Sequence, residues 1–115
     1  MSWRDEWETT RYVITLDPAS GGHNRMRVRV RSEHRVVVRF SVQYETDLDG
    51  TTYPVVRYDT AHGFAHRDLL DRAGHNVDKL YLGDESRFGR VLDDAIADIK
   101  ANWADHLESF LKGVP

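Results

Sequence analysis

The sequence predicts an α+β fold: an antiparallel β-meander of five or six strands with one face covered by a single long C-terminal helix. Two observations carry this. Residues 11 to 82 repeat short stretches of period-two alternation separated by turn residues. From Phe88 to Phe110, apolar side chains recur at spacings of three and four. Strands first and a helix last place that helix across one sheet face and leave the other face open.

The elements follow in order. Arg11 to Leu16 alternates, with Tyr12, Ile14 and Leu16 expected inward, and Asp17 to Gly22 is a turn-rich loop. From Arg25 to Arg31 the alternation is strict, with Met26, Val28 and Val30 on one side and four arginines on the other. After a turn at Ser32-Glu33-His34, the residues Val36, Val38, Phe40, Val42 and Tyr44 form a long inward face. Asp47 to Gly50 is the next turn. Tyr53 to Asp59 is a strand with Pro54 near its start, where a missing N–H is tolerated. Phe64 to Leu70 and Val77 to Leu82 are short strands joined by an Asp71-Arg72-Ala73-Gly74 turn. The helix is expected from about Arg87, with Ser86 as its N-cap and Gly113 just past its end, packed on Val28, Val38 and Phe40.

One domain spanning 1–115 is expected, with 1–9 as an N-terminal extension, because 115 residues suit a single core. There is no cysteine, which excludes disulfides and cysteine-bound zinc. Met1 to Glu8 carries three acids and no apolar run, and no stretch approaches the ~18 apolar residues of a membrane span. The expectation is a cytoplasmic chain with no membrane partner. Its net charge of −3 conceals an asymmetry. Six arginines and one acid lie between Arg25 and Arg39, whereas seven acids and three bases lie between Asp84 and Glu108. A basic sheet beside an acidic helix steers an anionic partner to one side. Arg25, Arg27, Arg29, Arg39 and Arg67 are the expected contacts to it, the competing reading being ordinary solvated surface charge.

The segment Arg57 to Asp68 is where chemistry concentrates. Its twelve positions hold two histidines, two arginines, two aspartates and a tyrosine, with Gly63 between the histidines. A sharp turn at Gly63 brings the flanking strand ends together, so that Arg57, Asp59, His66 and Asp68 are expected to converge at one corner of the sheet. A histidine moves protons near neutral pH, an arginine forks onto a phosphate, and an aspartate fixes a histidine tautomer. Those parts suffice for metal-independent RNA cleavage by an adjacent 2′-hydroxyl, with no cofactor. Arg57, Tyr58, Asp59, His62, His66 and Asp68 are the candidate catalytic residues. Against this, Arg57 and Asp59 also suit a surface ion pair, Tyr58 suits the core, and His62 suits a turn. A metal held by His62 and His66 with Asp59 or Asp68 ranks below the metal-free reading, because a spacing of four is diagnostic only on a helix. His23, His34, His75 and His106 fall in turns or on the helix and receive no role.

The run Val55-Val56-Arg57-Tyr58-Asp59-Thr60-Ala61-His62-Gly63, followed by His66-Arg67-Asp68, resembles a group of small uncharacterised prokaryotic proteins. They share a V-x-R-Y-D-x-A-H-G-x-x-H-R-D core and a helix like Ala95 to Trp103. That likeness covers Phe40 to Phe110. The segment Arg57 to Arg67 is more distantly similar to TumE-type toxins of toxin–antitoxin pairs, from which it departs at Thr60 and in its reduced histidine cluster. The resemblance implies a toxin-like protein of a toxin–antitoxin or defence system acting on RNA, with a cognate antitoxin as partner. The alternative is a non-enzymatic binding module whose arginine-rich face grips an acidic protein or a nucleic acid.

Overall fold

A computed structural model describes residues 6–113 of the chain. Among them, six strands form one antiparallel sheet in the order β1-β2-β3-β4-β5-β6, each paired with its neighbours in sequence. They are β1 (Thr10–Thr15), β2 (Asn24–Glu33), β3 (Val36–Leu48), β4 (Thr51–Asp59), β5 (Ala65–Leu70) and β6 (Asn76–Gly83). The helix α1 (Phe88–Lys112) follows and packs chiefly across β3 and β4. Residues 1–5 of the expected N-terminal extension lie outside the described residues. Thr9 continues the β1 side of the sheet, its N–H donating to the Val30 carbonyl at 2.9 Å.

The core lies between the sheet and α1. Met26 and Val28 of β2, Phe40, Val42 and Tyr44 of β3, and Val56 and Tyr58 of β4 are buried on the helix side, against Phe88, Val91, Ala95 and Ile99. Phe40 meets Phe88 and Tyr44 meets Trp103 edge-on, with ring centroids 6.1 and 6.2 Å apart. Tyr44 keeps its hydroxyl satisfied by donating to Asn24 Oδ1 at 2.5 Å. Asn24 is in turn held by Asp17, which accepts from both its backbone N–H and its side-chain amide at 2.9 Å.

Several boundaries differ from the sequence expectation, each for a physical reason. The β3–β4 turn is the two-residue Asp49-Gly50, both left-handed, so Asp47 and Leu48 stay in the strand. Pro54 is not at a strand start. It faces Glu45 at a bulge, where the ladder does not need its missing N–H. The bulge places Val55 and Val56, consecutive residues, both in the core. Val38 is 38% exposed because it is the extra residue of a bulge opposite Arg31 and Ser32, and Val37 packs on the core in its place; Tyr12, on the edge strand β1, is 39% exposed. Ser86 is not the helix cap. Asp84 instead caps the 3-10 turn Glu85–Arg87 that leads into α1, accepting from the Ser86 N–H at 3.0 Å and its hydroxyl at 2.6 Å, and Arg87 stands at the N-cap of α1 itself. Gly83 makes the reversal possible: at φ 133° it leaves no room for a Cβ, which would stand 2.6 Å from Arg87 Cδ. Gly113, left-handed, closes the far end by donating to the Phe110 carbonyl, as expected.

Ile99 is fully enclosed at the centre of this packing. Ile99→Asp places an unpaired charge there at a cost of several kcal/mol and should abolish cooperative thermal unfolding, while Ile99→Val should cost about 1 kcal/mol. A melting curve for Ile99→Asp that matches the wild type would contradict this docking of α1.

Candidate functional site

The alternation of β4 sends Tyr58 under the helix and Arg57 and Asp59 to the opposite, open face. A tight turn then reverses the chain. Ala61 donates to Asp59 Oδ1 at 3.1 Å, Gly63 donates to the Thr60 carbonyl at 3.2 Å, and both His62 and Gly63 are left-handed, at φ 66° and 85°. The buried Thr60 hydroxyl pins the end of β4 to β3 by accepting from the Phe40 N–H at 3.2 Å. On the return, β5 pairs His66 with Asp59, Arg67 with Tyr58 and Asp68 with Arg57.

Asp59, His66 and Asp68 therefore meet on the open face. His66 Nε2 lies 2.8 Å from Asp59 Oδ1 and 3.5 Å from Asp68 Oδ2. Its Nδ1 faces the Phe64 carbonyl at 3.4 Å. Asp68 Oδ1 accepts from Asn76 Nδ2 at 2.8 Å, and Lys79 Nζ lies 3.9 Å from the same oxygen. The His66 ring is only 2% exposed, shielded by Phe64, whose ring also contacts Tyr81. Arg57 stands on this face opposite Asp68, with its Nε donating to Gln43 Oε1 at 2.9 Å.

The remaining candidates separate. His62 is exposed at the turn and is not part of the cluster. Tyr58 is buried on the helix side. Arg67, expected beside the other arginines, is opposite Tyr58 on that same side, donating from Nη2 to Asp78 at 3.3 Å while its buried Nε finds no acceptor among the described residues. The turn shifts the inward–outward parity, so that His66 and Asp68 face the open side and Arg67 does not.

The other arginines do share the open face. They line a groove of about 1000 Å³ that includes Arg25, Arg27, Arg29, Arg39 and Arg57, and Asp59 is the member of the histidine–carboxylate cluster that lines it. Many are held by acids. Arg25 forks onto Asp47 through two 2.7 Å bonds, which hold the Asp47 carboxyl well below the usual range. Buried Glu45 accepts from Arg27 Nε at 2.8 Å and from Arg25 Nε at 3.3 Å. Glu8 accepts from Arg29, and the Trp7 ring lies under Arg29 and Arg39 at 4.5 and 4.0 Å.

On the helix side, Asp98 gathers a second polar cluster. It accepts from Tyr58 Oη at 2.7 Å and Asn102 Nδ2 at 2.9 Å, and its Oδ2 lies 2.9 Å from His106 Nε2. Burial pushes the Asp98 carboxyl up, but His106, Asn102 and Tyr58 together hold it well below its ordinary value. Burial, then the neighbouring Asp98, raises the Tyr58 phenol. His106 was given no role from sequence. The available signal was the i, i+4, i+8 spacing of Asp98, Asn102 and His106, which sets three polar side chains on one stripe of α1.

The depressed Asp98 carboxyl is a stability term with a defined sign. It contributes above the unfolded-state value, about 3.9, and is lost as pH falls from there toward the lower folded value. Asp98→Asn should destabilise the fold by about 2 kcal/mol at pH 7. Urea unfolding should show the gap between variant and wild type narrowing below about pH 4. A gap that does not change with pH would separate Asp98 from this network.

Among the described residues, no helix is long and apolar enough to cross a membrane. No curated protein and no solved structure matches the chain. One family model does, over residues 1–114, nearly the whole length. Its description is a domain of unknown function, DUF7718, and the chain belongs to that family.

Proposed function

We propose that this protein acts on RNA as the toxin-like member of a prokaryotic toxin–antitoxin or defence system, working in the cytoplasm and restrained by a cognate antitoxin. The observation that carries this reading is a juxtaposition. The Asp59–His66–Asp68 cluster lies on the arginine face, with Asp59 lining the groove and Arg57 directly opposite Asp68. A groove lined by several arginines suits a sugar–phosphate backbone, and an arginine beside a histidine–carboxylate pair suits chemistry on one phosphate. The likeness of Arg57 to Arg67 to TumE-type toxins supports the same reading.

A second reading has its own observation. Histidine-driven cleavage needs a ring nitrogen within hydrogen-bond reach of the substrate. Both nitrogens of His66 face protein oxygens, and the ring is 2% exposed. That favours a binding module in which the arginine face holds its partner and no bond is cut.

One pair of experiments decides between them. Expression of the wild type alone should arrest growth and shorten cellular RNA, and His66→Gln should relieve both while retaining RNA binding in vitro. Binding without arrest or cleavage would establish the second reading. For either, Arg27→Ala and Arg39→Ala should each weaken binding of single-stranded RNA and reduce the slope of log affinity against log salt by about 1. Fluorescence anisotropy across a salt series measures this, and an unchanged slope would take the arginine face out of RNA recognition.

A further inference from the structure

We propose that Asp59, His66 and Asp68 form a binding site for a divalent first-row metal ion, manganese or zinc. The site rests on the geometry of the cluster and stands apart from whether the groove holds RNA.

Each residue offers one ligand atom, and the three atoms all lie within 4.8 Å of one another. Two ligands about 2.1 Å from one ion, at tetrahedral or octahedral angles, are about 3.0–3.4 Å apart. The observed separations from His66 Nε2, 2.8 Å to Asp59 and 3.5 Å to Asp68, bracket that range. The third pair, Asp59 and Asp68, lies within 4.8 Å, so binding draws the two carboxylates in to complete a set of three.

The histidine is also presented as metal-binding histidines are. Its Nδ1 faces the Phe64 carbonyl at 3.4 Å, the kind of backbone contact that orients a metal-binding histidine with Nε2 toward the ion. Nε2 itself faces two carboxylates. Three donors aimed at one point repel one another unless a cation or a proton lies between them. Around this shell, Asn76 orients Asp68 and the Ala61 N–H orients Asp59. Phe64 and Tyr81 exclude water on one side. Asp59 lines the groove, which supplies an entry path to the buried His66 and Asp68.

The donor set selects the ion. One imidazole with two carboxylates and no thiolate suits manganese or zinc and disfavours soft copper(I). The set differs from the sequence-derived alternative of His62 and His66 together, since exposed His62 takes no part. Lys79 near Asp68 and Arg57 opposite it offset some of the negative charge, and both lower affinity without occupying the ligand atoms.

The test uses the full chain, stripped with a chelator and titrated with manganese chloride or zinc chloride by calorimetry, and by thermal melting without RNA. The expected result is one ion per chain and a melting temperature that rises with metal concentration, as binding to the folded state requires. Asp68→Asn, which preserves shape, should weaken binding by about 10-fold or more, and Asn76→Ala should weaken it less. His66→Gln should remove it. His75→Ala, which disrupts the exposed Asp71–His75 pair, should leave it unchanged. Manganese should broaden the His66 ring resonances before those of the other histidines. No stoichiometric binding at millimolar metal would mean a proton, not a metal, joins the three residues, and would overturn the proposal. Binding that survives Asp68→Asn and is lost in His75→Ala would overturn it equally.

Discussion

An antiparallel sheet with one apolar face does not persist in water until that face is covered, and here α1 is the cover. Met26, Val28, Phe40, Val42, Tyr44, Val56 and Tyr58 are shielded because the helix lays Phe88, Val91, Ala95 and Ile99 across them. Burial of these side chains is worth roughly 1.5–3 kcal/mol each, so that together they outweigh any single polar contact in the molecule. The same requirement sets the opposite face. Once Met26, Val28 and Val30 of β2 are committed to the helix side, their odd-numbered neighbours must point away from it, and Arg25, Arg27, Arg29 and Arg31 stand there. The core and the arginine groove are two consequences of one periodicity.

That face is charged but organised. Glu45 is buried among Arg25, Arg27 and Gln43, and Asp47 holds Arg25 in a fork. Burying a carboxylate costs several kcal/mol and is tolerable only with such partners. The consequence is a set of guanidinium groups fixed in direction before any ligand arrives. A surface of loose arginines would lose side-chain entropy on binding, whereas this one has already lost much of it on folding.

Much of the fold was legible in the sequence because period two and period 3.6 are strong, local signals. The strict alternation of Arg25 to Arg31 fixed both faces of β2, and the spacing from Phe88 to Phe110 fixed the apolar stripe of α1. Features that depend on register were not legible. Nothing local says that Val55 is an extra residue opposite Tyr44 and Glu45, so the paired burial of Val55 and Val56 breaks the alternation without warning. The convergence of Asp59, His66 and Asp68 followed from placing a turn at Gly63. The position of Arg67 was legible by the same rule, since on a strand it points opposite to His66 and Asp68 on either side, and its expectation among the outward arginines conflicted with theirs. The role of Asp84 was hidden because Ser86 is an equally good cap by type, and only the 3-10 turn decides between them.

The strand order repeats the chain order, and this has a consequence for how the chain closes on itself. Every strand pairing joins neighbours in sequence, so the β3–β4 hairpin, for example, needs only the two residues Asp49 and Gly50 to bring its strands together. The entropic cost of closing a loop grows with its length, and for such connections it is small. The helix is the exception, since it must return past β6, β5 and β4 to rest on β3. The long-range part of the topology is concentrated in that single return. A sheet knitted from local hairpins awaits one distant element to make it dry, and the stretch from Gly83 to Phe88, where the chain turns back, is the hinge of the whole assembly.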